Sequence, residues 1–75
     1  MNIKSTRLLS SDEATYIKHI LNNSLHDKIL SIYRLEVKNS IHNFWIEFHK
    51  DASLVSISTL MNNIRNLTHI TIDSK

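Results

Sequence analysis

The tightest constraint on this chain lies in residues 44–73. Phe44, Ile46 and Phe48 alternate with Trp45, Glu47 and His49; apolar residues then recur at three- and four-residue spacing; and Ile70 and Ile72 finally alternate with His69 and Thr71. Alternation sends successive side chains to opposite faces of a strand, whereas a 3.6-residue period collects them along one side of a helix. The segment therefore reads strand, helix, strand, with one sheet face turned to the helix and the other left to Trp45 and its neighbours.

The first half repeats the theme. Residues 2–9 read as a strand, with Ile3 and Leu9 on one parity and Leu8 alone on the other. Ser10 and Glu13 have the spacing of a capping box, in which the hydroxyl accepts an orphan amide proton and the carboxylate reaches back. Ala14, Ile17, Ile20 and Leu21 supply the apolar stripe of a helix that the cluster Asn22, Asn23 and Ser24 is expected to end. Residues 29–37 read as a second strand, with Tyr33, Leu35 and Val37 alternating against Arg34, Glu36 and Lys38. A competing reading continues the first helix through Leu25, Ile29, Ile32 and Tyr33, against which that alternation argues.

Lys38, Asn39 and Ser40 suit a tight connection into the third strand, 41–49. Asp51 or Ser53 caps the second helix, whose buried stripe would hold Leu54, Ile57, Leu60, Met61 and Ile64 and whose exit is marked by Asn62, Asn63 and Asn66. Residues 68–73 form the last strand. The order strand, helix, strand, strand, helix, strand is the ferredoxin-like plan of the α+β class: a four-stranded antiparallel sheet with both helices on one face. Its first and third strands are central, so the weakly apolar first strand is the most demanding part of the reading.

Composition narrows the function. A chain of 75 residues is a single domain, residues 1–75, and one this short buries only roughly 60% of its unfolded surface, so a partner or second copy would add useful burial. Apolar residues at 41% and charged residues at 21% are ordinary globular values. There is no Cys, which removes disulfides and thiolate metal sites. There is also no Gly and no Pro, which excludes glycine-rich phosphate loops and leaves turns to Asn, Asp and Ser. No apolar run reaches the length of a membrane span, and residues 1–4 are too polar to begin a signal peptide, so a soluble cytoplasmic protein without membrane contact is expected. The formal charge of +2 is spread along the chain rather than clustered.

No constellation of catalytic chemistry stands out. His19, His26, His42, His49 and His69 include no pair at metalloprotease spacing, and they read as surface or capping histidines. Asp12, Glu13 and Asp51 sit at helix starts, where acidic side chains offset the positive end of the dipole. Ser10 and Ser11 lack the turn context of a hydrolase nucleophile. No catalytic, cofactor or metal residue is assigned, and the chain is expected not to be an enzyme. Trp45 differs: strand parity puts it on the open face with Glu47 and His49, with Arg34 and Glu36 from the second strand, His69 and Thr71 from the last, and Lys4 and Thr6 from the first. A Trp among Arg and His is the chemistry of an interface centre. Single-stranded RNA binders stack bases on aromatics of such a face, but here there is one aromatic rather than two or three, and residues 44–50 lack the Gly and basic residues of that motif.

The segment FWIEFHKDASLVSISTLMNNIRNLTHITID, residues 44–73, resembles the second half of an ACT domain and is similar in layout to the small regulatory subunits of acetolactate synthase. The short hydrophobic step from Ile64 to Leu67 before the last strand is part of that likeness, and the span 2–72 suits one whole unit. The resemblance implies a regulatory module that pairs sheets or edges at a subunit interface. ACT domains bind an amino-acid effector at a Gly-containing loop between the first strand and first helix; the corresponding Leu9, Ser10, Ser11 and Asp12 contain no Gly, so no effector is carried over.

The expected function is thus a non-catalytic regulatory or protein-interaction module, working through its open sheet face or an edge strand, with a protein partner or a second copy. The expected interaction surface is Trp45, Arg34, Glu47, His49 and His69. Two alternatives share its features: a small phage or mobile-element inhibitor of a host protein machine, and a single-stranded RNA- or DNA-binding module.

Overall fold

The computed structural model describes residues 1–73. It contains β1 (Asn2–Ser5), α1 (Ser11–His26), β2 (Leu30–Lys38), β3 (Ile41–Phe48), α2 (Leu54–Arg65) and β4 (Ile70–Asp73). The strands form one antiparallel sheet in the order β2-β3-β1-β4. This is the ferredoxin-like arrangement, with β1 and β3 central. The helix-facing positions of the two central strands, Ile3, Phe44 and Ile46, are fully buried. They pack with Ile17 and Leu21 of α1 and Leu60, Met61 and Ile64 of α2 in one core.

β1 is shorter than the expected 2–9, ending at Ser5. One inward apolar residue suffices because the next inward position is a bridging serine. Ser5 Oγ accepts the His42 amide proton at 2.8 Å and lies 3.3 Å from the His42 carbonyl, to which it donates. A buried strand end is thereby satisfied without a further ladder rung. His42 is itself buried, and its Nδ1 accepts the Leu9 amide proton at 3.3 Å, which puts the ring proton on Nε2. The ring lies against Phe44 at 6.3 Å between centroids. One histidine thus ties the β1–α1 connection to the middle of the sheet.

α1 opens on the predicted capping box. Glu13 N–H donates to Ser10 Oγ at 3.2 Å, and Ser10 N–H donates to Glu13 Oε1 at 3.0 Å. The helix does not stop at Asn22–Ser24 but continues to His26, because Ser24 turns inward and its hydroxyl bonds back to the Ile20 carbonyl at 2.8 Å. The donated backbone proton from Ser10 is the main reason the Glu13 carboxyl lies below its ordinary value of 4.5, with the Ser10 hydroxyl, Arg7 and His69 lowering it further and desolvation opposing them. A carboxyl depressed in the folded state adds stability above its unfolded pKa and loses that contribution as pH falls through the folded one. Glu13→Gln is therefore expected to lower the melting temperature modestly at pH 7 and to narrow the fall between pH 6 and pH 3, as followed by circular dichroism. Equal acid sensitivity in both proteins would contradict this assignment.

Of the two caps proposed for α2, Ser53 is the one used: its hydroxyl accepts the Ser56 amide proton at 3.1 Å. Leu54, expected on the buried stripe, is the first residue of α2 and is 81% exposed, so the stripe starts at Ile57. Asn66 is the C-cap, in a right-handed rather than a left-handed conformation. Val37 is also more exposed than its parity suggests, at 52%, lying near the end of β2. The β2–β3 register shifts between Leu30 and Ile32, a bulge that lets Leu30 face the core while Ile32 faces outward opposite Glu47.

Candidate functional site

The register fixes which side chains share the uncovered face. Arg34 stands opposite Trp45, which stands opposite Asn2 on its other side; Glu36 stands opposite Asn43, and Asn43 opposite Lys4. Ile32 and Glu47, Lys38 and Ile41, and Thr71 and Asp73 of β4 complete the face. The Arg34 guanidinium carbon lies 4.5 Å from the centroid of the Trp45 ring. Such stacking contributes about 0.5–1 kcal/mol at an exposed site and holds two long side chains in one geometry. A hollow of about 380 Å³ lined by Asn2, Arg34, Glu36, Asn43 and Trp45 lies beside the pair. Asn43 Oδ1 is buried without a hydrogen-bond donor.

Three of the five expected surface residues, Trp45, Arg34 and Glu47, meet on this face. The other two lie elsewhere. His49 follows the end of β3, where its Nδ1 accepts the Asp51 amide proton at 3.2 Å and lies 3.9 Å from Asp51 Oδ2. There it lines a hollow of about 650 Å³ with Lys28, Asp51 and Ser53, at the turn into α2. His69 precedes β4, and its Nε2 is 3.8 Å from Glu13 Oε2 at the start of α1. Each lies one residue outside its strand, where no ladder holds the alternation of side-chain directions. The same applies to Thr6, which lies beyond the last residue of β1. Asn43 was legible, two residues from Trp45 on the same strand; Asn2 needed the register.

The charges are mixed. Lys4, Arg34 and Lys38 are matched one for one by Glu36, Glu47 and Asp73. A face of this kind carries no single-sign field of the sort that draws a phosphate backbone. A separate cleft of about 300 Å³ runs between the helices, lined by Ile20, Ser24, Val55, Thr59 and Asn63 among others. Among the described residues no cluster of three or more His, Asp or Glu is placed to hold a metal ion, and no helix is long and apolar enough to cross a membrane. No family model, curated protein or solved structure matches the chain.

Proposed function

We propose that the protein is a non-catalytic interaction module that binds protein through its uncovered sheet face and the adjoining β2 edge. The observation that carries this reading is the Arg34–Trp45 stack: a large amphipathic ring and a guanidinium, already ordered against each other, in the middle of a face that neither helix covers. Trp and Arg are the residues most enriched among those that dominate binding energy, and prior ordering removes part of the entropy a partner would otherwise have to offset. The matched charges beside the stack favour a protein surface over nucleic acid. A regulatory role, as in the ACT-like resemblance, fits a module of this size whose first connection lacks the glycine of an effector loop.

Site-specific photo-cross-linking in cells that produce the protein tests it. A photoreactive residue at Glu47 or Glu36 is expected to give a discrete protein adduct, and the same residue at Lys18, exposed on α1, is not. The Glu47 adduct should fall at least about fivefold when Trp45→Ala is added, in line with the loss of an interface anchor. Adducts equally strong from Lys18, or none from the sheet face, would refute the proposal.

A further inference from the structure

The two edges of the sheet differ. β4 is four residues long, whereas β2 has nine and lacks the proline that blunts many natural edges. The ladder shows which of its backbone groups face outward. The amides of His42 and Ile46 donate toward β1, the first to Ser5 Oγ and the second to the Met1 carbonyl at 2.9 Å. Backbone groups alternate in direction along a strand, so those of Asn43, Trp45 and Glu47 point to β2, where their partners Glu36, Arg34 and Ile32 are the hydrogen-bonded positions. The N–H and C=O groups of the intervening Tyr33, Leu35 and Val37 therefore face the open edge.

From this edge we infer that the protein forms a twofold symmetric dimer in which β2 pairs antiparallel with β2 of a second copy, centred on Leu35 opposite Leu35, giving one continuous eight-stranded sheet. The inference rests on the interaction-module reading and names the partner of its edge. Charge and paired length together select the register, because centring on Val37 would also set opposite charges, Glu36 and Lys38, across from each other but would leave most of β2 unpaired. Centring on Arg34 or on Glu36 would set like charges directly opposite each other at the axis, which is destabilising. Centring on Leu35 puts Arg34 opposite Glu36 of the second copy, twice by symmetry. These are non-hydrogen-bonded positions, where Cα atoms approach to about 4.5 Å and side chains meet most closely. Leu35 then exchanges both backbone bonds with its own copy, and Tyr33 does so with Val37. On the helix-facing side that register covers Val37, 52% exposed in the single chain, with the ring of Tyr33. The Tyr33 hydroxyl is held by Asn22 Oδ1 at 2.6 Å, which orders the ring that would cover Val37, while Arg34, stacked on Trp45 of β3, would turn its guanidinium outward to meet Glu36 of the second copy.

Charge reversal in trans provides the test. In sedimentation equilibrium the wild type is expected to be a dimer, and Arg34→Glu and Glu36→Arg alone are each expected to raise the dimer dissociation constant roughly tenfold or more, since each turns two attractive cross-strand pairs into repulsive ones. An equimolar mixture of the two variants pairs Glu with Arg at every position and should regain the dimer, as should R34E/E36R in one chain. Without any substitution, amide exchange at Tyr33, Leu35 and Val37 should slow with rising protein concentration, while Arg34 and Glu36, bonded to β3, stay unchanged. A wild-type monomer at millimolar concentration would overturn the pairing and leave the interaction reading to the cross-linking result. A dimer indifferent to both reversals, or one whose Leu35 amide exchanges at the monomer rate, would overturn this register alone.

Discussion

Phe44→Ala is expected to cost about 3–5 kcal/mol, the range for removing a fully buried aromatic ring that its surroundings cannot refill. At roughly 0.05–0.15 kcal/mol per residue, or about 4–11 kcal/mol in all, a chain of 75 residues loses a large part of its stability with that one ring. Phe44 stands between Ile3 on β1 and Leu35 on β2, is fully buried, and carries His42 against its ring. Urea denaturation followed by circular dichroism should show the midpoint falling steeply, to zero denaturant where the wild type lies at the low end of that range. Trp45→Ala, one residue away on the opposite face, removes a partly buried ring rather than a fully buried one and should cost less, about 1–2 kcal/mol including the stack with Arg34. Comparable losses for the two would mean that the inward and outward faces of β3 had been exchanged.

That contrast marks what was legible in the sequence. β3 alternates without a break, so its inner and outer faces separate on sequence alone, and the positions of Phe44, Ile46 and Trp45 follow from parity. The Ser10–Glu13 box was legible for a similar reason, because its chemistry is local and its spacing fixed. Order of elements and strand-to-strand connectivity then leave the ferredoxin-like sheet as the simplest closure.

Other features depended on contacts distant in sequence. Nothing near Ser5 indicates that its hydroxyl serves the backbone of His42, 37 residues on, and without that knowledge β1 looks too weak to be central and too long. The bulge between Leu30 and Ile32 reverses parity within β2, so Ile32 joins the open face although Leu30 is core. His49 and His69 lie just outside the ladder, where alternation no longer sets direction, and each turns to an acidic neighbour, Asp51 and Glu13. The candidate face was thus readable on the strand with the cleanest period and least so where a strand begins or ends.

The second large effect runs in the opposite direction, toward greater stability. Among the described residues of a chain without glycine, three hold positive φ: Lys28 at 60°, Asn39 at 53° and Ser40 at 65°. Lys28 lies just past the α1 C-cap, Asp27, and the bonds from Ile29 N–H to the Ser24 carbonyl and from Lys28 N–H to the Leu25 carbonyl are those of a Schellman ending, whose left-handed position favours Gly. Asn39 and Ser40 are the two central residues of the hairpin that pairs Lys38 with Ile41, and positive φ at both makes it a type I′ turn. A side chain in this region costs about 1–2 kcal/mol, while Gly returns about 0.5–1 kcal/mol of that through the greater freedom of its unfolded state. Lys28→Gly and Ser40→Gly should each stabilise by up to about 1 kcal/mol. The sites are far apart in the fold and share no bonds, so the double variant should approach the sum, a rise of roughly 10 °C in melting temperature for a domain of this size. Asn39→Gly should gain only a few tenths of a kcal/mol, because Asn already tolerates the conformation, and Lys18→Gly within α1 should lose about 1 kcal/mol. Thermal melts that rank the four substitutions in this order would show that the chain holds its two tightest reversals in spite of its composition; destabilisation by Lys28→Gly would mean that the lysine side chain contributes more there than its backbone geometry costs.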